Sequence, residues 1–300
     1  MRGPASGTAG RLDRARRQDH AHVHIGEGLH EEGGLRLGAR TAARTDKGLV
    51  RENNEDSYLV REERRTTLLA VADGVGGEAG GEMASAAAIS ALAARFYEAR
   101  GAQPPSEALA AAMRGANDAV LGAAGESGQQ GAASTLVAAA IDGRDAVIGN
   151  LGDSRAYLVR DGEIRLVTAD HAGDYQSSIT RFVGDPRGVQ PDVFVESLRP
   201  GDRLLLCSDG LTRHVPDPDI AKAAAQRDVD RAATELVELA KARGGEDNIT
   251  VVLYAARGRL GLADLRDNLV NLVLALLVAV VVIGTIAALV FVSGAYPIAR

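Results

Sequence analysis

Short apolar runs, each ended by polar or glycine-rich residues, divide the sequence between Leu35 and Ala256 into candidate strands. Several of these runs are apolar at every position, which is typical of strands that are buried on both faces. Asp161-Gly162 separates two of the runs and is a strong hairpin signal. The predicted strands are Thr66–Ala72, Thr135–Ile141, Ala146–Leu151, Arg155–Arg160, Glu163–Val167, Val193–Leu198, Arg203–Cys207 and Ile249–Ala255.

Three helices are predicted between these strands. The first runs from Glu82 to about Arg100 and is stopped by Gly101, and the second runs from Ser106 to Leu121. A third runs from Asp230 to Arg243, where a glycine pair ends it. Because strands often follow one another directly and the helices come in blocks, we predict an α+β fold with helices stacked outside the sheets.

The stretch from Leu272 to Val292 is aliphatic and carries no charged residue. A helix of about 21 residues is about 31 Å long, which matches the hydrocarbon core of a bilayer. We therefore predict one transmembrane helix over residues 269–293. Three arginines precede this span and one follows it, and no apolar signal segment is visible near the N-terminus. Both features predict a cell-membrane protein whose folded domain is cytoplasmic.

The remaining segments lie outside the folded region and the predicted membrane span. Residues 1–34 show no apolar periodicity and are predicted to be disordered. His20, His22 and His24 alternate there and could bind a metal from a strand, but a solvated tract is the favoured interpretation. The expected organisation is a folded domain over 35–256, a juxtamembrane linker over 257–268, the membrane helix, and a short tail over 294–300.

Composition narrows the range of functions only slightly. The net charge of −6 over 300 residues argues against a nucleic-acid-binding protein, which would need a basic excess. Cys207 is the only cysteine and lies in an apolar run, so we expect a small core residue and no intrachain disulfide.

Two of the buried strands end in Asp-Gly, and these ends carry the candidate chemistry. Asp73-Gly74 follows one run and Asp209-Gly210 follows another. An Asp-Gly pair after a strand is most often only a turn. Two such ends together predict a site for a hard cation, built from carboxylate and carbonyl oxygens.

With their neighbours, these motifs resemble the metal-dependent serine/threonine protein phosphatases of the 2C type, in their bacterial form. The resemblance covers about Leu35 to Ala256 and implies two β-sheets flanked by helix pairs, with two Mn²⁺ or Mg²⁺ ions at one edge. The matching motifs are Arg51 with Glu55-Asp56, Asp73-Gly74 with Gly76-Gly77, Ser134-Thr135, Gly152-Asp153-Ser154-Arg155, Thr168 with Asp170-His171, Ile179-Thr180-Arg181, Ser208-Asp209-Gly210 and Asp247-Asn248.

The resemblance also implies a metal-binding role for individual residues. Asp73 would bridge both metals, and the Gly74 carbonyl would add an oxygen to one of them. Asp209 and Asp247 would hold the first metal. Glu55 would act on the second, largely through its waters.

The remaining implied roles concern the substrate and the surroundings of the metals. Asp56 would support the metal site from behind, and Arg51 would clamp the substrate phosphate. Two divalent ions would share and deprotonate a water and offset the charge that develops on the phosphoryl group. Arg51, Asp73 and Asp209 are thus the predicted catalytic residues.

A third, weakly held ion is expected at Asp153, which would share Asp209 with the main pair. Some relatives have an acid that helps to hold this ion at the position of Arg213. If Arg213 points inward, its cation would repel the ion or take its place beside the carboxylates. Val75 stands where animal relatives have a histidine that is proposed as the general acid, so the proton donor stays open. His171 is expected to shape a loop.

The expected function is hydrolysis of phosphoserine and phosphothreonine on proteins at the cytoplasmic face of a membrane. Expected partners are phosphorylated proteins, among them bacterial serine/threonine kinases and their substrates. Two alternatives stay open: a catalytically weak relative that binds phosphoproteins, and a hydrolase of small phosphate esters. The connection between His171 and Ile179 is shorter than the flap that family members usually have, which slightly favours small esters.

Overall fold

The protein is described by a computed structural model that covers residues 40–63, 66–76, 78–173, 179–256 and 284–285. Within these residues the strands are β1 (Arg40–Asp46), β2 (Asp56–Glu63), β3 (Thr66–Val75), β4 (Ala133–Ser134), β5 (Leu136–Asp142), β6 (Asp145–Leu151), β7 (Arg155–Arg160), β8 (Glu163–Leu166), β9 (Asp192–Ser197), β10 (Arg203–Cys207) and β11 (Ile249–Ala255). The helices are α1 (Glu78–Ala99), α2 (Pro105–Ser127), α3 (Asp209–Thr212), α4 (Asp217–Ala224) and α5 (Val229–Ala242).

The strands form two antiparallel sheets that pack face to face. One sheet has the order β1-β11-β10-β7-β8, and the other has the order β2-β3-β5-β6-β9, with β4 paired to β3. Side chains such as Leu69, Val71, Leu204 and Leu206 fill the space between the sheets. The alternate residues of the same strands face outward, where helices cover them, so the central strands are apolar throughout.

A pair of helices covers the outer face of each sheet. Helices α1 and α2 pack on the sheet of β3, where Phe96 and Met113 are fully buried. Helices α4 and α5 pack on the sheet of β10, where Leu236 covers Leu205 and Val251 in a second outer core. The predicted α+β architecture of two sheets between helix pairs is therefore confirmed.

All eight predicted strands are present, most within one or two residues of their predicted ends. Strands β1, β2 and the two-residue β4 were not predicted as strands, and helices α3 and α4 were not predicted as helices. The expected end of the second helix at Leu121 is wrong. That helix continues to Ser127 with Ala124 buried, and it stops where Gly128 takes a left-handed φ of 73°.

The expected transmembrane helix over 269–293 lies outside the described residues except for Gly284 and Thr285, which are helical. Among the described residues, no helix combines the length and the apolar character that crossing a bilayer requires. The predicted disordered segment 1–34, the linker 257–268 and the tail 294–300 also lie outside the described residues.

Strand register brings the candidate residues to one edge of the sandwich. Asp73 pairs with Asp56 at the end of the β2–β3 ladder. In the other sheet Cys207 pairs with Val251, so the chain beyond β10 and the chain entering β11 lie side by side. Asp209 and Asp247 stand on these two segments.

Candidate metal centre

A cavity of about 520 Å³ opens at this edge. Every residue that the sequence predicted for the site lines it, except Asp56. Its walls are Arg51, Glu55, Asp73, Gly74, Val75, Gly76, Gly131, Ala133, Asp153, Ile179, Phe182, Asp209, Arg213, Asp247 and Asn248.

The backbone of Asp73 is held on both sides, so its carboxyl group is aimed by the sheet. Its N–H donates to Thr135 Oγ1 at 2.9 Å. Its carbonyl accepts the Thr135 N–H at 2.8 Å and the Ser134 hydroxyl at 3.0 Å. Thr135 Oγ1 also bonds Ser154 Oγ at 2.7 Å, which links the end of β3 to the turn that carries Asp153.

Gly74 is required because three segments meet there. A Cβ on Gly74 would lie 2.1 Å from the Gly81 carbonyl oxygen and 2.8 Å from the Glu55 carbonyl oxygen. Both are backbone atoms, which cannot move aside as a side chain would. The Gly74 N–H donates to that Glu55 carbonyl at 3.2 Å, so the glycine also holds the Glu55 loop in place.

Asp209 and Asp247 share Arg213, and Asp247 also contacts Arg51. Arg213 donates from one guanidinium nitrogen to Asp209 Oδ2 and from the other to Asp247 Oδ2 at 3.2 Å. Arg51 lies 2.9 Å from Asp247 Oδ1. Arg213 thus points into the site, which is the orientation that the sequence left open.

Asn248 positions a neighbouring loop. It belongs to the Asp247-Asn248 motif, but the sequence alone did not indicate this role. Its Oδ1 accepts the Glu55 N–H at 2.8 Å. Its Nδ2 donates to the carbonyls of Lys47 at 3.0 Å and Asn53 at 2.9 Å. The residue after Asp247 therefore fixes the whole loop that carries Arg51 and Glu55.

Asp56 lies behind the cavity, as the resemblance implied for a supporting residue. It is 2% exposed, and its Oδ2 accepts the Ser208 hydroxyl at 2.8 Å. Ser208 Oγ in turn accepts the Thr250 N–H at 2.9 Å, which ties Asp56 to the strand that leads from Asp247.

His171 anchors the turn before Asp153. Its Nδ1 accepts the Gly152 N–H at 3.1 Å, and its Nε2 lies 3.0 Å from Asp192 Oδ2. With one ring nitrogen accepting, the other donates to the carboxylate. This agrees with the structural role that was expected for His171.

Burial raises the pKa values of Asp56, Asp73 and Asp209, and the charges of neighbouring carboxylates raise them further. Burial raises the pKa of Asp56 to about 7, against hydrogen bonds from Thr250 and Ser208 that lower it. Burial also raises the pKa of Asp209 to about 6, although the charge of Arg213 opposes the shift. The pKa of Asp73 lies well above its usual range, because of burial and then because of the charge of Asp56 and the other carboxylates.

A divalent cation fits this environment. Among the described residues, Oδ1 of Asp209 and Oδ1 of Asp56 are buried and accept no hydrogen bond, so each has an unused lone pair. The cavity walls contain neither His nor Cys, and carboxylate and carbonyl oxygens suit Mg²⁺ and Mn²⁺.

The carboxylates are not yet in a coordinating arrangement. Within the described part of the chain, no group of three His, Cys, Asp or Glu side chains stands where it could already hold a metal ion. The guanidinium of Arg213 lies against both Asp209 and Asp247, so a metal bound by these two residues would have to replace those contacts.

Two face-to-face sheets between helix pairs, with an oxygen-lined acidic cavity at one edge, define the class of metal-dependent phosphatases. Residues 48–253 match the family described as Protein phosphatase 2C, and the chain belongs to that family. The resemblance drawn from the sequence motifs is confirmed.

Two similar proteins illustrate the relationship. "Serine/threonine protein phosphatase PstP" of Mycobacterium tuberculosis (strain ATCC 25618 / H37Rv) is 39% identical over 236 residues, which cover 71% of this chain and 44% of PstP. "Serine/threonine phosphatase stp" of Listeria innocua is 34% identical over 234 residues, covering 70% of this chain and 93% of that protein. The chain therefore spans less than half the length of PstP but nearly all of the Listeria protein.

A solved structure of the PstP catalytic domain contains metal ions. The catalytic domain of PstP in complex with two manganese ions has a TM-score of 0.64 and 38% identity to this chain, covering 72% of this chain and 97% of that domain.

Proposed function

We propose that this chain is a metal-dependent phosphatase that removes phosphate from phosphoserine and phosphothreonine in proteins. The observation that carries the proposal is the cavity in which Asp73, Asp209 and Asp247 meet Arg51, with a buried Asp209 oxygen that accepts no hydrogen bond among the described residues. Membership of the protein phosphatase 2C family and the two manganese ions of the PstP catalytic domain support it.

Two Mn²⁺ or Mg²⁺ ions would be held by Asp73, the Gly74 carbonyl, Asp209 and Asp247, with Glu55 beside them. When bound, such ions supply a water of lowered pKa and offset the charge that develops on the phosphoryl oxygens. The raised pKa values of Asp209 and Asp73 fit this role, because buried carboxylates that repel one another are stabilised by a cation.

Arg51 would bind the phosphate. Its side chain is half exposed and reaches the cavity mouth, where it contacts Asp247. A guanidinium can donate two parallel hydrogen bonds to one phosphate, so Arg51 would both attract and orient the substrate. Val75 lies on the same rim and cannot donate a proton, so the proton for the leaving oxygen comes from elsewhere.

We also propose that residues 269–293 anchor the enzyme in the cell membrane, with the folded domain on the cytoplasmic side. The support is the uncharged aliphatic run in the sequence and the arginines that precede it. Phosphorylated proteins near the membrane, including bacterial serine/threonine kinases and their substrates, would then be the partners.

Hydrolysis of small phosphate esters is a second candidate. One observation favours it: only seven residues, Ala172 to Ser178, connect His171 to Ile179 on the cavity wall. A short connection offers less surface for a protein substrate.

The test is Mn²⁺-dependent release of phosphate from a phosphothreonine peptide, with a small aryl phosphate assayed in parallel. Asp209→Asn should abolish release from both substrates. Asp219→Asn is a suitable control, because Asp219 is an exposed aspartate that pairs with Arg243 and does not line the cavity. Release from the aryl phosphate alone would favour the second candidate, and equal activity in excess chelator would overturn both.

A further inference from the structure

Arg213 lines the cavity and contacts two proposed metal ligands, but the proposed hydrolysis assigns it no role. It follows helix α3, four residues after Asp209, and its N–H donates to the Asp209 carbonyl at 2.9 Å. This short turn holds the start of the side chain in place, and the guanidinium reaches back over the carboxyl group of Asp209.

The guanidinium of Arg213 lies among acidic side chains. Besides Asp209 it contacts Asp247 at 3.2 Å, and Asp153 lines the same cavity. The two carboxyl groups it contacts are largely buried, with side chains 12% and 15% exposed, while the Arg213 side chain is 43% exposed. The arginine therefore caps the acidic cluster from the solvent side.

We infer that Arg213 is a built-in counter-cation that competes with divalent metal for Asp209 and Asp247 and takes the place of a third ion beside Asp153. This inference rests on the proposed metal centre and goes beyond it, because it concerns the affinity of the site for metal and the number of ions that it binds.

The charges of the cavity residues support the inference that Arg213 takes the place of a third ion. Five carboxyl groups and two guanidinium groups line it. Two divalent ions together with the two arginines carry six positive charges, one more than five ionised carboxylates can offset. A third divalent ion would meet a positive guanidinium at Asp209 and no remaining excess of negative charge.

Competition between Arg213 and the metal predicts a change in Mn²⁺ affinity that a merely structural role of Arg213 would not give. If Arg213 only arranged the carboxylates for metal, its removal would weaken metal binding. If it competes, Arg213→Ala should bind Mn²⁺ more tightly, roughly three- to tenfold, since one partly exposed guanidinium with two carboxylate contacts is lost.

The experiment is isothermal titration of the full chain in detergent with Mn²⁺ alone, with no substrate present. Arg44→Ala is the matched control: the Arg44 side chain is also 43% exposed and pairs with an aspartate, Asp230, but it does not line the cavity. Arg213→Lys keeps the charge and should bind Mn²⁺ nearly as the wild-type chain does. Thermal unfolding with and without Mn²⁺ should show a larger stabilisation by metal in Arg213→Ala than in either comparison.

Unchanged or weaker Mn²⁺ binding by Arg213→Ala would overturn the competition. A stoichiometry of three ions in the wild-type chain would overturn the exclusion of a third ion. Failure of the proposed function looks different, because the wild-type chain would then bind no Mn²⁺ at the site at all.

Discussion

Gly81 offers a way to move one proposed metal-site carboxylate without altering it. A Cβ on Gly81 would lie 2.1 Å from Oε2 of Glu55, 2.8 Å from its Cδ and 3.0 Å from the backbone carbonyl carbon of Gly74. The two severe contacts are with the end of a flexible side chain, so the Glu55 carboxylate should move furthest, while the tight Gly74 contact needs a shift of a few tenths of an ångström. Gly81→Ala is therefore expected to turn Glu55 away while Asp73, Asp209 and Asp247 keep their places.

The effect on folding should be small because two contributions oppose each other. Alanine in place of glycine within a helix stabilises by about 0.5–1 kcal/mol. Forcing Glu55 from its rotamer costs about 0.5–1.5 kcal/mol. The effect on metal binding should be large, since losing a supporting group around a metal typically weakens its affinity about 10- to 100-fold.

Gly80→Ala is the control for this change. It lies one residue earlier in the same helix, and its Cβ would meet Ala132 Cβ at 3.4 Å, an ordinary contact. It should gain about 0.5–1 kcal/mol of stability in urea and keep wild-type Mn²⁺ affinity in a calorimetric titration. Gly81→Ala should show near wild-type stability in chelator and weakened Mn²⁺ binding. Wild-type Mn²⁺ affinity in Gly81→Ala would refute the role of Glu55, and a stability loss above about 3 kcal/mol would show that the backbone yields instead.

Three further outcomes are expected. Arg51→Ala should lose about 1.5–3 kcal/mol of transition-state binding, or roughly ten- to 150-fold in kcat/KM, and kinetics at wild-type level would mean that the phosphate clamp is misassigned. In chelator, the free energy of unfolding should fall as pH rises from about 4 to about 7, because folded Asp56 and Asp209 hold protons that the unfolded chain has released. Urea unfolding at several pH values should show this fall, and Asp56→Asn should make it smaller. A free energy of unfolding that rises over this pH range would contradict the prediction. The full chain should sediment with membranes and a fragment ending at Gly258 should not; recovery of the full chain without detergent would count against the anchor.

The central strands could be predicted because burial on both faces leaves a continuous apolar run, as in β3 and β10. The missed strands are at sheet edges. Strand β1 reads RTAARTD and pairs only with β11, and β2 is polar towards its end. Edge strands need little apolar surface, so their sequences carry a weak signal. Helix α4 was hidden by Pro218, which stands in its first turn where proline is tolerated.

The acidic residues of the site could be predicted because Asp73, Asp209 and Asp247 stand at strand ends with glycine or asparagine beside them. What the sequence could not predict depends on contacts between distant segments. Asn248 binds a loop about 195 residues away, and Arg213 either faces solvent or the cavity according to the path of a short helix. Neither the Asn248 contact nor the direction of Arg213 produces a hydrophobic periodicity or a compositional bias in the sequence.

The proposed hydrolysis requires the carboxylates at the sandwich edge to hold two metal ions. The direct test measures bound Mn²⁺ per chain and phosphopeptide turnover on the same samples of wild-type protein and Asp73→Asn. The wild-type chain should bind two ions and turn over the peptide, and the variant should lose both properties together because Asp73 would serve both ions. Turnover that persists in Asp73→Asn, or in wild-type protein stripped of metal, would contradict this requirement.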